Sequence, residues 1–282
     1  MNYHQPPHIY TGEVHLKVTD LDKMTNFYTE IIGFSVLEKK DKHVVLTADG
    51  QTPLLVLEQP ESIVPKEPRR TGLYHLALLL PTRADLGKAI KHFSRNQIPL
   101  GAADHQVSEA LYLSDPDGNG IEIYCDREPK TWHWNDDLVA MSTDPLDTRA
   151  VVEESGEDDW TGLPSGTVMG HIHLHVANLP NTKEFYEALG FKVVSRYPQA
   201  LFMANGNYHH HIGLNTWNGA DASRPTEGSA GMEAFTLIYP DESTLQEAIG
   251  NVQKLGETVK RLETTFVVVD PSGNRVILRL EM

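Results

Sequence analysis

The sequence predicts an α+β protein of four β-α-β-β-β modules paired into two domains. Three observations predict it. The chain repeats itself: Val14-His15-Leu16-Lys17-Val18 matches Ile172-His173-Leu174-His175-Val176, and Phe27-Tyr28 matches Phe185-Tyr186. Asp115-Pro116-Asp117-Gly118-Asn119 likewise matches Asp270-Pro271-Ser272-Gly273-Asn274 at nearly the same offset, the mark of two homologous halves. Within each half a helical spacing of apolar residues follows a strand-like run, and the pattern then occurs a second time. Short alternating or apolar runs follow each helix, as strands do.

The elements follow in chain order. The first module opens on a strand around Val14, with a helix over Asp20 to Ile31 burying Leu21, Met24, Phe27, Tyr28 and Ile31. Strands follow at Val44–Thr47 and Leu54–Glu58. The second opens on Gly72 to Pro81. Thr82 with Asp85 forms a helix-capping pair, Leu86, Ala89, Ile90 and Phe93 keep helical spacing, and strands follow at Leu111–Ser114 and Ile121–Tyr124. In the fourth, Leu245, Ala248, Ile249 and Val252 mark the helix, before strands at Val267–Val269 and Val276–Leu280. Residues 1–127 are expected to form one domain and 167–282 the other. Residues 128–166 form a charged connector, docked through Trp132, Trp134 and Trp160.

Composition narrows the function. The chain has 282 residues, 40% hydrophobic and 22% charged, ordinary for a folded protein. A net charge of −15 disfavours nucleic acid and anionic membranes as partners. The single cysteine, Cys125, excludes a disulfide framework or an all-thiolate metal site. No apolar run is long enough to span a membrane and no leader is evident, so a cytoplasmic protein is expected.

The 14 histidines are the unusual feature. Alternation places His15 opposite Val14 and Leu16, His75 opposite Tyr74 and Leu76, and Glu122 opposite Ile121 and Ile123. These are repeat-equivalent strands, and paired modules would bring their concave faces together. Two histidines and a carboxylate meeting there make the facial triad of non-heme Fe(II) oxygenases. His173, with His210 from the run Tyr208-His209-His210-His211, marks a secondary or decayed site in the second half, where Ala234 and Ile277 stand opposite His75 and Glu122.

The run from His105 through Tyr112 to Asp115-Pro116-Asp117-Gly118-Asn119-Gly120-Ile121-Glu122 resembles the signature of extradiol ring-cleaving dioxygenases of the vicinal-oxygen-chelate superfamily. Ala103, two before His105, is a minor departure. Nearly the whole chain looks similar to the two-domain catechol-2,3-dioxygenase-like proteins of bacteria. That resemblance implies curled half-open barrel sheets with outer helices and an Fe(II) ion, or Mn(II) or another divalent metal, on His15, His75 and Glu122. It implies Tyr112 beside a substrate oxygen and His105 lining the pocket. The substrates would be catechol or a substituted catechol and O₂, the product a 2-hydroxymuconic semialdehyde. In related enzymes a histidine on the strand corresponding to that of His210 serves as acid and base. Leu54 and Leu55 fill that place in the first half. Self-association is also expected. The alternatives on this fold are a glyoxalase-type metal-dependent isomerase or lyase and a non-catalytic small-molecule-binding protein. The isomerase would need a fourth ligand near Leu54, which cannot supply one.

Overall fold

The computed structural model describes residues 2–281. The first module comprises β1 (Tyr10–Lys17), α1 (Leu21–Asn26) continued by a π-helical turn (Phe27–Ile32), β2 (Ser35–Lys40), β3 (His43–Thr47) and β4 (Pro53–Glu58). The second has β5 (Gly72–Leu79), α2 (Arg83–Arg95), β6 (Gly101–Asp104), β7 (Ser108–Ser114) and β8 (Gly120–Asp126). The connector carries the hairpin β9 (Trp134–Asn135) and β10 (Leu138–Val139), then α3 (Thr148–Glu154). The third module has β11 (Val168–His175), α4 (Leu179–Ala188), β12 (Lys192–Tyr197), β13 (Ala200–Ala204) and β14 (Ile212–Asn215). The fourth has β15 (Gly231–Tyr239), α5 (Glu242–Lys254), β16 (Lys260–Leu262), β17 (Thr265–Val269) and β18 (Arg275–Leu280).

Local chemistry explains these boundaries. Asp20, Thr82, Asn178 and Asp241 each accept a hydrogen bond from a backbone N–H three residues on, closing the orphan first turn of its helix. The two Asp-Pro turns are alike. Asp115 accepts from the backbone N–H groups of Asp117 and Asn119, and Asp270 from those of Ser272 and Asn274. Gly118 and Gly273 hold φ of +81° and +94°, open to glycine at no steric cost.

The modules pair crosswise. One eight-stranded sheet runs β16-β17-β18-β15-β1-β4-β3-β2 and joins the fourth module to the first. The other runs β12-β13-β14-β11-β5-β8-β7-β6 and joins the third to the second. Neighbouring modules of one half therefore lie in different sheets. Neighbours meet instead through helix and turn. The Tyr28 hydroxyl donates to Asp115 at 2.9 Å, and the Tyr186 hydroxyl donates to Asp270 at 3.3 Å. The repeat thus satisfies both kinds of contact, which is why the sequence pattern alone fits either sheet pairing.

The apolar faces of the strands pack under the helices. Val14, Leu16, Met24 and Tyr28 are buried in the first module, and Leu76, Leu86, Ala89 and Phe93 in the second. The connector docks as expected. Trp132 is buried against Tyr3 and Tyr208, and Leu163 N–H donates to Gly33 O at 2.8 Å beside Trp160. Gly120 opens β8, paired in parallel with His75 of β5. A Cβ there would collide with the Tyr74 carbonyl and lie 3.0 Å from His75 Cβ. Gly120→Ala should cost ~1–3 kcal/mol by overpacking, read as a lower urea midpoint at unchanged slope.

Candidate metal centre

The crosswise pairing decides which residues meet. In the second sheet, β5 lies between β11 and β8. His75 Nε2 stands 3.0 Å from Glu122 Oε2, His171 Nε2 stands 3.1 Å from the same oxygen, and the two imidazole nitrogens are 3.3 Å apart. All three side chains are buried. Two imidazoles and a carboxylate with edges of about 3 Å match one face of an octahedron around a first-row divalent cation with ~2.1 Å bonds. The donor set therefore fits a metal. Burial opposes ionisation of Glu122, but the His171 and His75 imidazoles outweigh it and hold the carboxyl well below its usual range. Burial lowers His171 to about 4, so its ring is neutral near pH 7. A carboxylate and a neutral imidazole are the forms that bind metal.

His15 is not brought to this centre. It lies on β1 in the other sheet, opposite Ala234 and beside Val56, with Nε2 3.7 Å from Glu13. His171 stands where the expectation placed His15. In the repeat alignment His171 corresponds to Glu13, which in the first sheet pairs with Arg279 at 3.0 Å. Ala234 and Ile277 are also in that sheet, so the sheet without a three-ligand set joins modules one and four. The missed signal was the run His171-Ile172-His173-Leu174-His175, whose alternation places three imidazoles on one face.

A cavity of 360 Å³ opens beside the triad. His75, Glu122, Tyr112, His105, His173 and His210 all line it, so the residues expected at two sites share one. His173 and His210 form no separate centre. His173 is buried, its Nε2 has no hydrogen-bond partner among the described residues, and burial keeps its ring neutral. The His210 ring lies 4.1 Å from that of His171, centroid to centroid. The connector closes one side with Met141, Ser142 and Thr143.

The His105 and Tyr112 protons can be assigned. Ser142 O can only accept, so His105 Nδ1 donates to it at 2.6 Å. In the neutral ring Nε2 then accepts from the Tyr112 hydroxyl, also at 2.6 Å. Both His105 nitrogens are thus engaged, and the ring holds Tyr112 in place. Burial, with Glu122 nearby, raises Tyr112 well above the ordinary phenol range, so it keeps its proton. Its oxygen still has a lone pair for a substrate hydroxyl.

Residues 10–123 and 168–278 match the model of the Glyoxalase/Bleomycin resistance protein/Dioxygenase superfamily. The chain is 43% identical over 279 residues to the catechol-2,3-dioxygenase of Bacillus subtilis (strain 168), covering 97% of each protein. It is 30% identical over 115 residues to biphenyl-2,3-diol 1,2-dioxygenase 3 of Rhodococcus globerulus, 40% of this chain and 60% of that one. The crystal structure of glyoxalase I from Zea mays superposes with a TM-score of 0.59 at 18% identity, covering 96% of this chain and 92% of that one, and shows the shared fold.

Proposed function

The chain belongs to the Glyoxalase/Bleomycin resistance protein/Dioxygenase superfamily, and from that premise we propose that it is an Fe(II)-dependent extradiol dioxygenase. Its substrate is catechol or a substituted catechol, and its product a 2-hydroxymuconic semialdehyde. The observation that carries this reading is the buried His75–Glu122–His171 cluster, of which His75 and Glu122 line the cavity. The near full-length likeness to a catechol-2,3-dioxygenase supports it.

Fe(II) held on those three residues supplies one centre at which a catecholate and O₂ meet, with a redox path between them. The chain supplies the rest. Tyr112, its proton committed to His105, accepts a hydrogen bond from one substrate hydroxyl. His210 faces the same cavity and takes up or returns the substrate proton. Phe202, Tyr197, Trp217 and Met141 wall the ring and limit water around it.

Among the described residues, the cavity lining includes no lysine or arginine. A substituent on the ring therefore meets apolar walls, and a carboxylate there lacks a counter-charge. Leaving that charge unpaired costs ~3 kcal/mol, so carboxylated catechols should show kcat/KM about 100-fold below alkyl- or chlorocatechols.

The test is direct. Protein loaded anaerobically with Fe(II), mixed with catechol and opened to air, should turn yellow as the ring-fission product forms. With stoichiometric iron bound, no colour from any catechol in a panel would sink the reading. A carboxylated catechol cleaved as well as its methyl analogue would overturn the substrate preference alone.

A further inference from the structure

β8 carries more than a metal ligand. Glu122, Tyr124 and Asp126 share one face of it. Asp126, its side chain 21% exposed, stands 2.8 Å from His209 Nε2, and His209 is fully buried. His209 Nδ1 lies 2.8 Å from His210 Nδ1, and His210 lines the cavity. The chain Asp126–His209–His210 therefore runs from the protein surface to the candidate site.

We propose that Asp126 and His209 are positioning residues that lock His210 in one tautomer, with Nδ1 protonated and Nε2 a bare acceptor. The direction follows from donor chemistry. A carboxylate only accepts, so His209 Nε2 carries the proton of its bond to Asp126. With that single ring proton on Nε2, His209 Nδ1 holds a lone pair, and the proposal places the proton of the Nδ1–Nδ1 bond on His210. His210 Nε2 is left unprotonated, ready to accept from a hydroxyl entering the cavity.

The surroundings fix this direction. The Tyr208 hydroxyl donates to the same Asp126 oxygen at 3.3 Å, and the Tyr124 hydroxyl donates in turn to Tyr208 at 2.8 Å. The His209 ring packs between Tyr208 and Trp132, at 4.1 and 5.2 Å between centroids. Turning that ring over would put carbon atoms against both Asp126 and His210. The tautomer stands on this geometry alone; its bearing on turnover rests on the dioxygenase reading.

The test is ¹⁵N NMR of the full-length, histidine-labelled protein without added metal, with His209→Gln used to assign signals. Two-bond couplings should show His210 with a proton on Nδ1 and none on Nε2. In Asp126→Asn the amide can accept or donate, and the Nε2-protonated tautomer of His210 should appear. In the Fe(II)-loaded enzyme Asp126→Asn should lower kcat by ~10–100-fold at unchanged iron content, with KM moved less and Asp126→Glu restoring part of the loss. His210 protonated on Nε2 in the unsubstituted protein overturns the proposal, and that result stands alone if Asp126→Asn fails to fold. A folded Asp126→Asn that keeps both the tautomer and kcat also overturns it. Absence of ring cleavage in the unsubstituted enzyme with the tautomer as expected would sink the dioxygenase reading and leave the tautomer intact.

Discussion

His171→Ala should abolish stoichiometric divalent-metal binding and ring cleavage, whereas His15→Ala should leave the metal content unchanged. This is the outcome expected from ligand atoms that stand 3.0–3.3 Å apart on β5, β8 and β11. Loss of a residue that merely supports a ligand costs ~10–100-fold in affinity or activity, so loss of a ligand should exceed that range. Glu122→Gln should behave as His171→Ala does, since an amide leaves the centre without its negative charge. Elemental analysis of the purified variants decides the matter. Metal retained in His171→Ala and lost in His15→Ala would overturn the assignment.

That pair of variants marks where the sequence stopped being legible. His75, Glu122, Tyr112 and His105 were readable because strand alternation and a local motif fix their faces and their spacing. The Thr82 cap, the Asp-Pro turns and the repeat were readable for the same reason: each is set by residues close in the chain. The third member of the buried cluster, His171, was not, because its place depends on which module continues the sheet past β5. Four similar modules allow neighbouring or crosswise pairing, and a repeat pattern favours neither. His15 aligns with His173, yet the residue that reaches Glu122 is two places earlier, at His171. His209 and His210 were visible as a cluster, but their tie to Asp126 crosses between modules and has no local signature.

Acid should unfold the metal-free protein well above the pH at which carboxylates alone protonate. Burial lowers His4 and His171 to about 4 and holds His173, His210 and His211 well below the ordinary imidazole value. Below about pH 6.5 the unfolded chain takes up protons that these native rings refuse. Their contribution is therefore fully present above pH 6.5 and is lost as the pH falls toward the folded-state values. Each ring costs up to ~1.4 kcal/mol of stability per pH unit in that window. Together they can consume much of a typical ~5–15 kcal/mol. Glu122, held low by its imidazole neighbours, adds to the loss at lower pH. The urea midpoint should be highest above pH 7 and fall steeply by pH 5, with a proton uptake of several per molecule. A midpoint unchanged between pH 7.5 and 5 would contradict the neutral, buried state of these histidines.

The crosswise sheets also govern when the centre comes into being during synthesis. His75 and Glu122 leave the ribosome early, but β11 and its His171 follow only after the whole connector. Until then β5 has an open edge where β11 will pair, and the nascent first half holds two of the three cluster residues. Capture of an ion at the candidate centre would therefore wait for translation to pass the middle of the chain. A partial product released before that point would expose an unpaired strand and an incomplete candidate site.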